Sequence, residues 1–278
     1  MVAGGAIGAL ACGLFNWWWK LGRPKPEWWI GYAVPSGLGA CLMAAALIPL
    51  AQIPRLARSR TVRHGATLRA MLAPLADSRF LRLVLFGCWF SFFNGVSQSA
   101  QNIYPYRTLG VILFAMLAMQ TGMRIGQLTL SPYLGRLADR LGNRPVMTGC
   151  MLLVAQGPLF YLFATPGQPG WIVGAWVLWI AYAGLNVCLP NLMLKLSPGE
   201  SNTPYIAAYY TITGLCYAAS TILGGYALDH YAELTVWFFG SIALNFYQYI
   251  FLFGWAGRSL AVPVLLLVIE PKKGVRTI

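Results

Sequence analysis

Long apolar runs alternate with short polar segments along almost the whole chain. Eight runs approach the length of about 20 residues that a helix needs to cross the hydrocarbon layer of a bilayer. Backbone polar groups cannot stay unpaired in lipid, so each run is predicted to be a helix. The pattern therefore predicts an all-α, polytopic membrane bundle with about eight transmembrane helices, at residues 2–19, 31–54, 83–103, 108–131, 146–164, 171–194, 205–228 and 235–257.

Composition supports a lipid-facing exterior. Hydrophobic residues make up 58% of the chain and charged residues only 10%, whereas soluble domains have about 25% charged residues. The net charge of +13 does not indicate nucleic-acid binding, because the basic residues cluster between the apolar runs. The six cysteines fall inside those runs without metal-ligand spacing. We predict neither a metal nor a cofactor.

The basic residues also predict an orientation. The linker 55–82 holds seven arginines and one acid, so it is expected on the cytoplasmic side. Alternation of the spans then places residues 132–145 and the C-terminal tail on the same side. Lys20, Arg23 and Lys25 fall on the opposite side and conflict with this assignment. Tryptophans flank them, so this segment is expected to lie along the interface of a plasma or inner membrane.

A short basic segment between two apolar runs carries the most specific motif. Residues 135–145 read Gly-Arg-Leu-Ala-Asp-Arg-Leu-Gly-Asn-Arg-Pro. This G-x-x-x-D-R-x-G pattern resembles the signature loop of the major facilitator superfamily, a large family of secondary transporters. The resemblance implies a gating role, in which the loop holds neighbouring helices together in one conformation and releases them in another. That role would fall to Gly135, Asp139, Arg140, Gly142 and Arg144.

Individual positions in this motif have physical interpretations. Gly135 would let two helices approach closely. Asp139 would accept hydrogen bonds from the N-terminus of an adjacent helix and pair with a nearby arginine. Asn143 stands where the family usually has a basic residue, which weakens the expected latch. The alternative is a basic loop that only sets topology.

The resemblance also implies a division of the chain. Residues 1–54 would be the last two helices of a first half, 55–82 the central loop, 83–258 the complete six-helix second half, and 259–278 the tail. Facilitators have about twelve helices, so we expect an N-terminally truncated chain, or one that pairs with a second copy or a separate first half. Residues 261–269 are expected to lie at the interface or pack on the bundle.

A weaker pattern supports the same division. Gly225 and Asp229 repeat the G-x-x-x-D spacing at the end of span 205–228, on the opposite membrane face. Facilitator halves consist of inverted three-helix repeats, so an echo is expected there.

Polar residues recur at helical spacing within several spans, and such side chains usually face the bundle interior. Ordinary interhelical hydrogen bonding is the alternative. Span 235–257 departs from the expected pattern, because Ser241, Asn245 and Gln248 place a polar stripe on a helix expected to be peripheral. The candidates for a solute path are Asn94, Gln98, Gln101, Gln120, Arg124, Gln127, Tyr182, Asn186, Tyr210, Thr213 and Tyr217.

Arg124 is the sharpest single candidate, because an ionisable residue well inside a span indicates function by default. It would bind an anionic group of the solute or pair with a carboxylate of absent helices. The alternative is a structural arginine whose head reaches the interface. All seven acids lie in loops or near span ends, so these spans offer no acidic proton relay. Facilitated or exchange transport therefore fits better, unless the relay lies in the absent helices.

These features favour a secondary transporter that moves a small polar or anionic solute by alternating access. A non-transporting relative, such as a sensor or assembly factor, is the alternative. A membrane enzyme would need clustered histidines, cysteines or carboxylates at a membrane edge, and the sequence predicts none. The expected partners are the lipid bilayer, a small-molecule solute, and either the missing N-terminal helices or a second chain; nucleic acid is not expected.

Overall fold

The computed structural model describes residues 2–21, 24–27, 29–52, 73–197, 202–231, 233–238 and 242–270. These ranges consist mainly of α-helices, joined by short turns and one two-stranded antiparallel hairpin of β1 (Thr235–Phe238) and β2 (Ile242–Asn245). Most of the basic linker predicted at 55–82 lies outside the described residues. The helices are α1 (Val2–Lys20), α2 (Ile30–Ala45), α3 (Leu47–Ala51), α4 (Ser78–Arg107), α5 (Leu113–Leu141), α6 (Asn143–Ala155), α7 (Gly157–Phe163), α8 (Trp171–Leu178), α9 (Tyr182–Leu196), α10 (Thr203–Tyr231) and α11 (Phe246–Leu266).

Length and composition allow six described helical segments to cross a membrane, which confirms the predicted class of helical membrane bundle. The other two predicted spans correspond to α1 and α5, helices of 19 and 29 residues that are not among these six segments. Eight transmembrane helices therefore remain a prediction. The six segments are Ile30–Pro49, Ser78–Arg107, Asn143–Phe163, Trp171–Leu196, Thr203–Tyr231 and Phe246–Leu266.

Helix α4 lies at the centre of the packing and contacts α10 and α11 most extensively. The approach of α4 and α10 is close because Gly224 has no side chain: a Cβ there would lie 2.5 Å from the Val96 carbonyl oxygen. Fully buried aromatic residues such as Phe80, Phe86 and Phe251 fill the space between these helices. The core of the structure therefore belongs to residues 78–268.

Helices α1 and α2 differ from this core. α1 packs along α5, but α2 exposes Leu38, Leu42 and Met43, the last at 78% of its surface. Water does not tolerate a continuous apolar surface of this kind, so lipid or further polypeptide must cover it.

The last predicted span, 235–257, is wrong at both ends. Residues 235–245 form the hairpin, and α11 begins only at Phe246. Asn245 caps α11: its Oδ1 accepts from the Gln248 backbone N at 2.8 Å, and Gln248 Oε1 accepts from the Asn245 N at 3.1 Å. The polar residues Asn245 and Gln248 thus belong to a helix start and not to a stripe, and Ser241 lies outside the described residues. At the other end, α11 continues through much of the expected tail 261–269, and Leu265 and Val268 are fully buried.

Candidate functional site

The segment predicted as a loop at 132–145 is almost entirely helical, which corrects that expectation. α5 continues to Leu141 and α6 starts at Asn143, so only Gly142 separates them. Gly142 has a φ of 99°, a value that favours glycine. Gly135, Asp139 and Arg140 therefore lie on the last two turns of α5.

The structure does not show the contacts expected for Gly135 and Asp139. A Cβ on Gly135 would lie 3.9 Å from Val187 Cγ1, an ordinary contact, so this glycine marks no close helix approach. Asp139 is exposed and pairs with no described residue. The helix N-terminus that Asp139 was expected to cap is held by another carboxylate, that of Glu270.

Glu270 joins three parts of the bundle through its two carboxylate oxygens. Oε1 accepts from the backbone N and the Nδ2 of Asn143, at 3.0 and 2.8 Å, and from Lys195 Nζ at 2.7 Å. Oε2 accepts from the backbone N of Arg144 at 2.8 Å. An anion at the N-terminus of α6 is favourable because the helix dipole is positive there. We call Glu270, Lys195, Asn143 and Arg144 the Glu270 cluster.

The Glu270 cluster keeps its carboxylate ionised. Burial alone would raise the pKa of the Glu270 carboxyl, but the hydrogen bonds from Lys195, Arg144 and Asn143 stabilise the anion and lower the pKa to about 2. Arg144 adds a second link to the same region, because its Nη2 donates to the carbonyl oxygen of Leu266 in the last turn of α11. The end of α11 is thereby fixed to the start of α6.

A cavity of about 670 Å³ adjoins the cluster. Its wall includes Asp139, Arg140, Asn191 and Glu270. Because it is lined by the ends of α5, α9 and α11, the cavity belongs to this edge of the bundle. The charged residues of the signature motif thus share one polar recess with the Glu270 cluster.

Some solute-path candidates are joined across helices. Tyr182 Oη donates to Asn94 Oδ1 at 3.4 Å, which links α9 to α4. Gln127 is buried and its Nε2 donates to the Trp179 carbonyl oxygen at 3.1 Å. Gln101 is also buried, and neither atom of its amide has a partner among the described residues. Asn94 and Tyr182 are therefore the two candidates that the structure brings into contact between α4 and α9.

The other candidates lie apart from this contact. Gln98 bonds Asn102 and Thr213 bonds Tyr209, each within its own helix. Gln120 and Tyr217 are half-buried. The exposed members are Arg124, Asn186 and Tyr210. A role for Arg124 in solute binding remains a prediction.

The inverted-repeat residues lie near the end of α10. Asp229 is exposed, and a Cβ on Gly225 would lie 3.9 Å from Ser99 Oγ, an ordinary contact. A gating role for this echo remains a prediction.

The sequence patterns do not single out one charged residue that the structure places in the core. Arg258 lies midway along α11 and is fully buried, with its Nη2 donating to Ser97 Oγ at 2.6 Å. It was overlooked because the span was predicted to end at residue 257. The apolar run that resumes at Leu260 and continues to Ile269 was the available signal, since it allows the helix to extend past Arg258.

The comparisons with known proteins give one match. The family model described as Major Facilitator Superfamily matches residues 106–273, more than half of the chain. No curated protein and no solved structure matches the chain. The matched region contains the signature motif, the Glu270 cluster and the last four of the six segments that are long and apolar enough to cross a membrane. The chain is an integral, multi-pass membrane protein that belongs to the major facilitator superfamily, a family of transmembrane transporters.

Proposed function

We propose that this protein is a secondary transporter that moves a small polar or anionic solute by alternating access. The observation that carries the proposal is the Glu270 cluster, which joins the signature segment to α9 and to the end of α11. One ion pair and a few hydrogen bonds hold these elements together at a membrane edge. Such a contact can open without exposing a large apolar area, as a gate requires.

The solute path is proposed to run along α4, α9 and α10. Asn94 and Tyr182 contact each other there, and Tyr217 lies near Tyr182. Hydroxyl and amide groups at this position suit a solute that forms hydrogen bonds. The two halves of a facilitator would rock about such a site near the middle of the membrane.

The orientation is part of the proposal. The arginines of the linker 55–82 favour a cytoplasmic location for that linker and for the C-terminus. Arg136, Arg140 and Arg144 favour the same side for the Glu270 cluster. The cluster would then close the cytoplasmic end of the path.

Transport is tested by exchange across proteoliposomes that contain the natural full-length protein. Labelled small polar and anionic solutes are offered singly, with unlabelled solute trapped inside. We expect saturable exchange for at least one solute and a several-fold change of its rate in Glu270→Gln. Glu233→Gln, an exposed carboxylate away from the cluster, is the matched control and should exchange as the wild type does. A folded protein that exchanges no solute would favour a non-transporting sensor or assembly factor.

A further inference from the structure

Arg258 is a buried cation whose hydrogen-bonding capacity is mostly unused. Its side chain has no exposed surface, and its Nη2 donates to Ser97 Oγ. A guanidinium carries five N–H donors. Among the described residues, Nε and Nη1 have no partner. Several buried N–H donors therefore have no acceptor in the described part of the chain.

Among the residues that the structure describes, Arg258 also forms no ion pair with a carboxylate. Asp139 and Asp229 lie in the last turns of α5 and α10, and the remaining acids lie between the helices or after α11. Removing an unpaired charge from water is costly, and an opposite charge is the effective compensation. Water would satisfy the N–H groups but leave the charge in place. An anion would do both.

The surroundings of Arg258 add further polar groups. Gln101 lies one helical turn beyond Ser97 on α4, and neither atom of its buried amide has a partner in the described part of the chain. Tyr161 on α7 lies near Arg258, and its buried hydroxyl likewise has no hydrogen bond of regular geometry there. The amide and the hydroxyl are both able to donate to an anion.

Two tyrosines connect this position with the proposed solute path. Tyr182 and Tyr217 both lie near Arg258, and both are half-buried. Tyr182 also contacts Asn94. Tyr182 and Tyr217, both candidates for the solute path, therefore lie between the Arg258 guanidinium and the partly exposed faces of α9 and α10.

We propose that Arg258 is the cationic centre of an anion-binding site in the core of the bundle, completed by Ser97, Gln101 and Tyr161. The ligand is a small anion: a halide, an inorganic oxyanion or a short carboxylate. Its binding does not depend on transport. Only its identity as the transported solute rests on the function proposed above.

The first test is a titration of the wild-type protein. Unfolding temperature is followed in detergent while potassium chloride, nitrate or acetate replaces potassium gluconate, a larger anion, at constant ionic strength. A ligand that binds only the folded state raises this temperature, and a concentration of ten times Kd gives a rise of about 4 °C. We expect saturation with at least one of the three anions. A response that is absent or linear for all three would overturn the proposal.

Variants locate the site. Arg258→Gln should abolish the saturable shift, and Arg258→Lys should retain it with several-fold weaker binding, because an ammonium keeps the charge but loses the planar fork. Arg107→Gln is the matched control, since Arg107 is exposed at the end of α4, and it should respond as the wild type does. An unchanged shift in Arg258→Gln would refute the assignment. If that variant does not fold, Ser97→Ala replaces it, and an unchanged Kd there would refute the site.

A flux measurement distinguishes a transported anion from an anion that stays bound as a counter-ion of Arg258. A transported anion exchanges across proteoliposomes with a saturation constant that follows its Kd. A resident counter-ion binds without exchanging. Both results support the site, and failure of the transport proposal would appear as binding without flux of any solute.

Discussion

Glu270 and Arg258 are two charged side chains that belong to the same part of the chain, α11 and the residues just after it, yet their surroundings differ. Glu270 follows α11 at the edge of the bundle, and hydrogen bonds from three residues occupy both of its oxygens. Arg258 lies midway along α11, and one hydroxyl is its hydrogen-bond partner within the described residues. The first charge is satisfied by the protein itself, whereas the second still requires a ligand.

This difference separates a structural role from a binding role. A satisfied carboxylate at a helix N-terminus stabilises one arrangement of α6, α9 and α11, and its loss weakens that arrangement. A buried cation whose donors lack acceptors contributes little to the stability of the folded protein by itself. An anion that binds to it should raise that stability. The two sites should therefore respond to different perturbations.

The largest effect on stability is expected where α11 meets α4, one residue before Arg258. A side chain on Gly257 would overlap the ring of Phe93. We expect Gly257→Val to lower the free energy of unfolding by about 3 kcal/mol and to remove the anion-dependent shift, because α11 must move away from Ser97. Chemical denaturation in detergent measures this. Gly149→Val, where a Cβ would meet no atom within 4 Å, is the control, and equal stability of the two variants would contradict the packing described here.

The Glu270 cluster should give a smaller loss. Glu270→Gln removes the charge from the N-terminus of α6 and leaves Lys195 without its partner, so we expect a loss of about 1–3 kcal/mol. The anion-dependent rise in unfolding temperature should persist, since Arg258 is unchanged. Denaturation of this variant beside Glu233→Gln measures the difference. A loss no larger than that of the control would mean that the cluster does not hold α6.

The pH dependence of the cluster follows from the lowered pKa of Glu270. The carboxyl binds a proton at about 4.5 when unfolded and at about 2 when folded. Its stabilising contribution is therefore complete above about pH 4.5 and declines as the pH falls towards 2. Unfolding of the wild type and of Glu270→Gln, followed from pH 7 downwards, should show a constant gap that narrows below about pH 4.5. A gap that already narrows between pH 7 and 6 would contradict the assigned hydrogen bonds.

The smallest effect is expected at Lys195. Its side chain retains 33% of its exposure, and partly exposed ion pairs contribute about 0–1 kcal/mol. Lys195→Met should cost less than Glu270→Gln because the backbone N–H groups of Asn143 and Arg144 still hold the carboxylate. Lys195→Arg provides the charge-preserving control. If Lys195→Met lowers the free energy of unfolding as much as Glu270→Gln does, the stabilisation by the cluster comes from the ion pair alone.

The helical membrane class could be predicted from the sequence because lipid imposes long apolar runs and internal hydrogen bonding. The family was predictable from residues 135–145. The start of α11 was not, since an apolar run such as 235–245 suits a strand as well as a helix. The capping box between Asn245 and Gln248 decides where the helix begins. Because α11 also continues to Leu266, Arg258 lies in the middle of this helix and not just beyond the end of a span.

The site was only partly predictable for a related reason. A motif gives the residue types of one segment, but the residues that contact this segment can come from any part of the chain. Glu270 lies 127 residues beyond Asn143 and takes the capping position expected for Asp139. The solute-path candidates are predicted from helical spacing, which cannot tell a face that another helix covers from an exposed face, as the exposed Arg124 illustrates.

Exchange of a labelled small anion by the wild type, Arg258→Gln and Glu270→Gln tests the account most directly. Proteoliposomes containing the natural full-length protein receive chloride, nitrate or acetate on both sides of the membrane. The account predicts saturable exchange that is lost in Arg258→Gln and altered in rate, but not in Kd, in Glu270→Gln. Exchange that survives unchanged in Arg258→Gln would contradict it.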